Sequence, residues 1–423
     1  MKRILVFPCG SEIALEIYRS LKYSIHFELI GASSIDDHGK FVYKDYVGNL
    51  PFVTSASFIE AISEVVKEKK IDAIFPAMDL VLDVLKKNEQ SIGCKVIGSC
   101  YETVQICTSK SKTYSFLKDV VKTPKIYTDG HVASYPVFMK PDIGYGARGT
   151  KLITNYEMLQ EYKKEHPDCI CCEYLCGDEY TLDCFTDRKG QMLFSAPRLR
   201  RRIMNGISVN TIPIIDRKNE FHDIAKKINN KLRFRGAWFI QLKRDKNGDL
   251  TLLEIAARLG GSSSLYRNKG VNFALLTLFD AFDYDVEVFY NNYEIELDRA
   301  LDDIYKINIL YDEVFVDFDD CVLLKGKYIN IELVAFLYQC INENKKITLL
   351  TRHKAEIYQS LSKCRLKGVF DRVIHITDGT NKSQYIDNLS SIFIDDSYSE
   401  RLDVMKHLKI PVFSPDMIKS LLK

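Results

Sequence analysis

A chain of 423 residues is longer than one hydrophobic core serves, and at roughly 150 residues per domain it asks for about three. Its 59 Lys and Arg against 57 Asp and Glu leave a formal charge of +2, which excludes a global basic field for nucleic acid or an anionic membrane and makes any anion site local. With 46% hydrophobic and 27% charged residues the chain has the balance of a folded globular protein, not of a disordered or fibrous one.

The first hundred or so residues alternate strand and helix signals. Short apolar runs at residues 4–7, 27–32 and 72–76 predict strands, and apolar spacing at residues 11–21, 59–66 and 81–85 predicts helices between and after them. Such alternation predicts a parallel sheet with helices on its faces. Gly10 follows the first strand, but no G-x-G-x-x-G accompanies it, so it carries no dinucleotide-binding signal. Lys2 and Arg3 precede too short an apolar stretch for a signal peptide, and no apolar run approaches about 18 residues. The twelve cysteines lack a paired framework; Cys169, Cys171, Cys172 and Cys176 cluster without zinc-site spacing and read as free thiols on a buried strand. A reduced cytoplasm is the expected address.

From Pro136 the pattern changes to strands at residues 137–140, 150–154, 169–174, 180–186, 192–195, 238–243 and 250–255, with turns at 187–190 and 245–248. This middle region reads as α+β and largely antiparallel. Residues 286–312 read as a connection. Beyond it VFVDFDD, ITLLTRH and IFIDDS predict three strands of a second parallel α/β unit, with polar residues at their carboxyl ends, where such sheets bind ligands.

The segment FMKPDIGYGARGTKLI delivers Lys140 on a strand and follows it with Gly144, Gly146 and Gly149, which let backbone N–H groups approach phosphate oxygens beside Lys140 and Arg148. A glycine hairpin with surface cations looks the same in isolation. In CEYLCGDEYTLDCF, Glu173 ends one strand and Glu179 opens the next, so the linker between them can offer backbone to an adenine edge and a carboxylate to a ribose. Gln241 and Glu254 on neighbouring strands can give a hard Mg²⁺ ion its protein oxygens. The run Arg198, Arg200, Arg201, Arg202 admits a solvated face, a nucleic-acid stripe or arginines turned into a site; strand alternation selects Arg198 and Arg200 for the last, where guanidinium groups suit phosphate or carboxylate.

The order of these motifs, TSKSKTYSFL, TPKIY, FMKPDIGYGARGTKLI, CCEYLCGDEYTLDCF, SAPRLRRR and FIQLKRDKNGDLTLLEIAARLGG, resembles the ATP-grasp superfamily over roughly residues 1–285, especially its carbamoyl-phosphate-synthase-like branch of carboxylate–amine ligases. The resemblance implies that Lys110 and Lys140 contact ATP phosphates under the 144–149 loop. It implies that Glu173, Leu175 and Cys176 line the adenine pocket, Glu179 holds the ribose, Gln241 and Glu254 ligate Mg²⁺, and Arg258 sits near the acyl-phosphate end. The chain departs from the family in two places: Ser109 stands where an acidic residue usually precedes the lysine, and Ala256 where an Asn usually follows the metal-binding Glu. The second departure removes one expected Mg²⁺ ligand.

In the last region Asp317 and Asp319 stand two apart at a strand end, an arrangement that a helix N-terminus rich in acids would also produce. Thr351, Lys382 and Asp395-Asp396 at neighbouring strand ends and turns add a hydroxyl, a cation and further carboxylates, which suits a carboxylate nucleophile that accepts a phosphoryl group. Residues 312–423 resemble haloacid-dehalogenase-type phosphatases, with four motifs in order. That resemblance implies Asp317 as nucleophile, Asp319 as general acid and then base, Thr351 and Lys382 as phosphoryl-binding residues, and a Mg²⁺ site built on Asp317, Asp319 and Asp395 with Asp396 in support. Cys321 replaces the usual Thr, and the short run from Asp320 to Thr351 leaves no room for a large cap.

The expected architecture is therefore an α/β and α+β multidomain chain: a parallel α/β pre-domain at 1–107, an ATP-grasp body at 108–300, and a Rossmann-like phosphatase domain without a large cap at 310–423. The expected function is an ATP- and Mg²⁺-dependent ligase fused to a Mg²⁺-dependent phosphatase, acting on a small-molecule carboxylate, an amine and a phosphorylated substrate, with neither nucleic acid nor membrane as partner and a homodimer as the assembly left open. The alternative is a phosphatase regulated by an ATP-binding module that does not turn over.

Overall fold

The alternating segments at the start of the chain become five strands, β1 (Lys2–Phe7), β2 (Phe27–Ala32), β3 (Asp45–Val47), β4 (Ala73–Pro76) and β5 (Lys95–Val96). They pair in the order β3-β2-β1-β4-β5, all parallel. The helix Glu12–Leu21 begins where Ser11 accepts the Ala14 N–H, which satisfies a donor that the first turn leaves free. This computed structural model describes every residue except 129–131, 145, 292, 301–304 and 306, and the chain divides into two units, Met1–Leu301 and Asp302–Lys423.

Two further sheets complete the N-terminal unit. β6 (Val137–Pro141), β7 (Lys151–Ile153) and β8 (Cys169–Glu173) form an antiparallel trio in the order β7-β6-β8. β9 (Glu179–Thr186), β10 (Met192–Met204), β11 (Ile207–Pro213), β12 (Gly236–Arg244), β13 (Leu250–Ala256) and β14 (Leu297–Asp298) form the antiparallel sheet β13-β12-β9-β10-β11-β14. Two expectations change here. The strand expected at 192–195 runs on to Met204, because Arg198, Arg200 and Arg202 pair with β11 as the rising arm of a hairpin, with a bulge at Arg201. The segment expected as a connection at 286–312 supplies β14, which pairs with Asn210 and Thr211 of β11; its residues 292, 301–304 and 306 lie outside those described.

The back of the large sheet is apolar. Tyr180, Leu182, Cys184, Trp238, Ile240, Leu242 and Ile255 join one buried cluster with Phe221, Ala225 and Ile228 of the helix Glu220–Asn229. Trp238, the single tryptophan, stacks on Phe234 at 3.8 Å and donates from Nε1 to the Thr186 hydroxyl at 2.9 Å.

The C-terminal unit contains β15 (Glu313–Val316), the hairpin strands β16 (Leu323–Leu324) and β17 (Tyr328–Ile329), then β18 (Lys346–Thr351), β19 (Arg372–His375), β20 (Ser391–Ile394) and β21 (Val412–Phe413). Apart from the hairpin, they form one parallel sheet, β19-β18-β15-β20-β21. Between β15 and β18 the chain makes that hairpin and the helix Ile331–Asn342, which leaves the carboxyl ends of the strands without an inserted domain. The chain leaves β15 first toward β18 and β19 and later returns to β20 and β21. The crevice at the carboxyl end of β15 is thus the topological switch point of the sheet. Among the described residues no helix is long and apolar enough to cross a membrane.

Gly236 opens β12 at φ 78°, and a Cβ there would sit 2.6 Å from the Thr277 side chain. Gly236→Ala is expected to lower stability by about 2–4 kcal/mol, through the left-handed backbone and the clash together. Urea unfolding followed by Trp238 emission measures it.

Candidate functional site

In the large sheet, register decides which side chains meet. Gln241 lies opposite Thr181 on β9 and opposite Glu254 on β13, while Lys243 faces Glu179, Phe239 faces Asp183, and Arg198 faces Thr181. Directly opposed residues share a face, so Glu179, Asp183, Arg198, Arg200, Gln241, Lys243 and Glu254 all project from the side away from the apolar cluster. The register slips by one residue next to Gln241, so that Leu242 faces Leu252 and Leu253 bulges out. The bulged Leu253 carbonyl accepts the Tyr114 hydroxyl, and Tyr114 in turn accepts the Lys140 ammonium at 2.6 Å. Burial pulls the Lys140 pKa down from its usual value, with Lys110 adding to the effect and the charges of Cys172, Glu254 and Glu179 opposing it.

Arg198 and Arg200 lie on one face by alternation, and a bulge between Arg200 and Arg202 turns Arg202 to the other. Arg198 and Asp183 form a buried pair, with side chains 4% and 3% exposed and Nε to Oδ2 at 2.7 Å. Arg200 donates from Nη1 to Glu179 at 2.5 Å and to Gln241 Oε1 at 2.6 Å, and from Nη2 to the Gly206 carbonyl at 2.6 Å. Burial, reinforced by Arg198, lowers its pKa against the pull of Glu179 and Glu254. Two guanidinium nitrogens on this face, Arg198 Nη1 and Arg200 Nε, are buried without a hydrogen-bond partner. Arg201 and Arg202 point the other way and pair at the surface with Glu296 and Asp298. That disposes of a free basic stripe.

Lys110 opens the helix Lys110–Leu117, with Ser109 as its N-cap. Its Nζ donates to the carbonyls of Asp142 and Gly144, at 3.4 and 3.3 Å. The acid missing before Lys110 is replaced across the fold: Asp142 accepts the Ser109 hydroxyl and the Ser111 N–H, each at 2.7 Å. Burial alone would raise the Asp142 pKa, but these hydrogen bonds and the Lys110 charge outweigh it and hold it below the usual carboxylate range.

The glycine-rich loop turns through positive φ at Gly146, Ala147 and Gly149. Tyr145 within it lies outside the described residues. A Cβ on Gly206, in the β10–β11 turn, would fall 2.6 Å from Ala147 N, so the hairpin tip and the loop are in backbone contact. Arg148, which has interactions of its own, stands in the same loop. Of the expected adenine residues, Leu175 is buried, Cys176 is exposed, and Glu173 accepts the Lys125 N–H at 3.3 Å. Arg258 bonds Asp79 at 2.5 Å, lies over the Phe239 ring, and keeps a buried Nε without a partner.

In the C-terminal unit Lys382 bridges Asp317 at 2.8 Å and Asp395 at 2.6 Å, all three buried. Burial raises the Asp317 pKa against the opposing Lys382 charge and the Thr351 hydrogen bond, and it pushes Asp395 up to about 6, with Lys382 opposing and Asp317 adding. Burial alone would lower Lys382, but the two carboxylates outweigh it and its pKa rises. Two carboxylates around one ammonium leave an excess negative charge, which suits a divalent cation. The potential ligand atoms that converge are those of Asp317, Cys321 and Asp396, within 4.8 Å of one another. Asp396, expected only in support, thus joins this group, while of the expected ligands Asp395 turns its carboxylate to Lys382 and to the Ser397 N–H and Asp319 lies outside it. Asp319 faces His353, with Oδ1 and Oδ2 at 2.9 and 3.0 Å from Nδ1.

Residues 165–297 match the model of a family described as ATP-grasp in the biosynthetic pathway with Ter operon. The N-terminal unit has an ATP-grasp fold. The biotin carboxylase domain of Hydrogenobacter thermophilus 2-oxoglutarate carboxylase, solved as a dimer with MgADP and bicarbonate, superposes with a TM-score of 0.57 at 17% identity, over 69% of this chain and 71% of that one. The L-amino acid ligase of Bacillus licheniformis gives 0.55 at 18%, over 67% and 74%. The carbamoyl phosphate synthase large chain of Thermoplasma acidophilum is 30% identical over 118 residues, 24% of this chain and 11% of that protein, so the chain spans about a tenth of this curated relative.

Sequence reasoning missed Asp183, Tyr114 and Asp142 in the N-terminal unit and His353 in the C-terminal one. Asp183 was within reach, since it alternates with Glu179 on one strand face. Asp142 follows Lys140 by two residues, but only the fold brings it to Ser109. Asp183→Asn is expected to cost about 3–5 kcal/mol by leaving Arg198 buried without its counter-charge, and Asp183→Leu with Arg198→Met to cost much less. Urea midpoints of the single and double variants measure the difference.

Proposed function

We propose that the chain is an ATP-dependent carboxylate–amine ligase joined to a phosphomonoester hydrolase. The observation that carries the ligase half is the polar sheet face with two buried guanidinium nitrogens left without partners, beneath a glycine-rich loop flanked by Lys140 and Lys110. Both guanidinium groups are charge-paired, with Asp183 and with Glu179, and the one N–H donor that each leaves over fits an anionic ligand.

In this reading the lysines and the loop N–H groups hold the phosphates, Glu173, Leu175 and Cys176 border the base, and Glu179 takes the ribose. Gln241 and Glu254, opposed in register on one face, are an oxygen pair of the type a Mg²⁺–nucleotide complex uses. Bound there, Mg²⁺ would offset phosphate charge. Arg200 bonds both Glu179 and Gln241, so nucleotide contacts to those oxygens compete with its guanidinium. The γ-phosphoryl group passes from ATP to the substrate carboxylate, giving an acyl phosphate and ADP. An amine then attacks the acyl carbon and phosphate leaves. Arg198, Arg200 and Arg258 neutralise and align the anions throughout. A homodimer is the assembly carried over from the carboxylase domain.

For the C-terminal unit we read Asp317 as the nucleophile that forms an aspartyl phosphate, with Thr351 and Lys382 binding the phosphoryl oxygens and Asp319 as general acid and then base. Asp317 and Asp396 are hard oxygen donors that fit a Mg²⁺ ion. The position of these groups at the switch point of a parallel sheet supports the reading.

Ala256 favours a second reading of the ATP-grasp unit, as a nucleotide-binding module that regulates the hydrolase. It faces Phe239 on the site side of the sheet and offers no oxygen there. The two readings differ in turnover. Lys140→Ala and Glu254→Gln are expected to lower carboxylate-dependent ADP release at least about 100-fold, with Trp238 emission unchanged. Nucleotide binding by calorimetry with no ADP release across amino acids and sugar acids would decide for the regulatory module. Asp317→Asn is expected to abolish phosphate release from phosphomonoesters while leaving nucleotide affinity as it was.

A further inference from the structure

Asp319 follows β15 on a loop, and its side chain is 49% exposed. A carboxylate so placed would normally sample several rotamers. Here both oxygens lie against one nitrogen, His353 Nδ1, at 2.9 and 3.0 Å. The imidazole is itself held on every side. Its Nε2 is 2.8 Å from the Ser360 hydroxyl on the helix Ile357–Lys363, its ring meets Phe318 edge-on at 4.9 Å, its backbone N–H donates to Thr351 Oγ1 at 3.2 Å, and its carbonyl accepts His375 Nε2 at 2.6 Å. A carboxylate accepts, so the N–H that points at Asp319 is the one on Nδ1, whichever way the Ser360 hydroxyl turns at Nε2.

We infer that His353 is the positioning residue for proton transfer in the C-terminal unit, fixing the Asp319 carboxyl where it serves the leaving oxygen. The inference rests on the aspartyl-phosphate reading above. One Asp319 oxygen accepts the Nδ1 proton, and the other carries the acidic proton. As an Asp317 oxygen bonds to phosphorus and the bond from phosphorus to the leaving oxygen breaks, that proton passes to the leaving oxygen. In the second step water attacks phosphorus, the water proton returns to Asp319, and the bond to Asp317 breaks to restore its carboxylate. His353 exchanges no proton in either step; it limits where Asp319 can be.

General acid catalysis matters in proportion to how poor the leaving group is, and that separates positioning from a merely structural role. Values of kcat/KM for the full chain are compared across p-nitrophenyl phosphate, phenyl phosphate and an alkyl phosphate. His353→Ala is expected to lose about tenfold to 100-fold on the alkyl ester and less than about threefold on the nitrophenyl ester, the latter also showing that the variant is folded. His353→Asn, which keeps an N–H donor near the Nδ1 position, is expected to recover most of the loss. Added to Asp319→Asn, His353→Ala should cause no further loss, since its effect passes through Asp319. Equal losses across the three esters, or an additive double variant, would overturn the role of His353. An Asp317→Asn chain that still hydrolysed all three esters would overturn the aspartyl-phosphate reading instead, whatever His353 did.

Discussion

The N-terminal unit depends on one constraint: charges placed on a sheet face must be matched, because their neighbours across the strand are the apolar core. Period-two alternation sends Leu182, Ile240 and Leu242 to the core side and Asp183, Gln241 and Lys243 to the other. Arg198 is therefore matched by Asp183, and Arg200 by Glu179 and Gln241. The matching is incomplete by two guanidinium nitrogens. A core leaves such gaps rarely, and a site that receives an anion leaves them regularly.

The same principle operates in the C-terminal unit with opposite sign. There the carboxylates outnumber the cation, Lys382 is shared between Asp317 and Asp395, and burial pushes Asp395 up to about 6. Carboxylates are kept close at a strand end at a cost in stability, which is the usual mark of a group held for chemistry. The net charge of +2 conceals both clusters, because one is rich in arginine and lysine and the other in aspartate.

Much of this was readable in the residues, for physical reasons. The strand of Phe27–Ala32 and the helix that begins after Ser11 follow from local periodicity. Alternation separates Arg198 and Arg200 from Arg201, but Arg202 would share their face were it not for the bulge between Arg200 and Arg202. What escaped was pairing at a distance. The strand expected to end at residue 195 runs through Met204 only because β11 lies beside it, and Leu297–Asp298 reads as part of a connection until Asn210 and Thr211 give it partners.

The sequence by itself determined the chemistry available: which strands end in acids, where glycines admit positive φ, and which lysine each glycine loop follows. Those are properties of a few consecutive residues, and local sterics and periodicity are enough to express them. Only the tertiary structure decided the partners. It brought Asp142 to Ser109, gave Tyr114 the carbonyl of a bulge at Leu253, turned Asp395 to Lys382 so that Asp396 met Asp317, and clamped Asp319 to His353. Each of these contacts joins residues far apart in the chain or turns one of two adjacent carboxylates, and the energy that selects them comes from burial, which no local pattern contains.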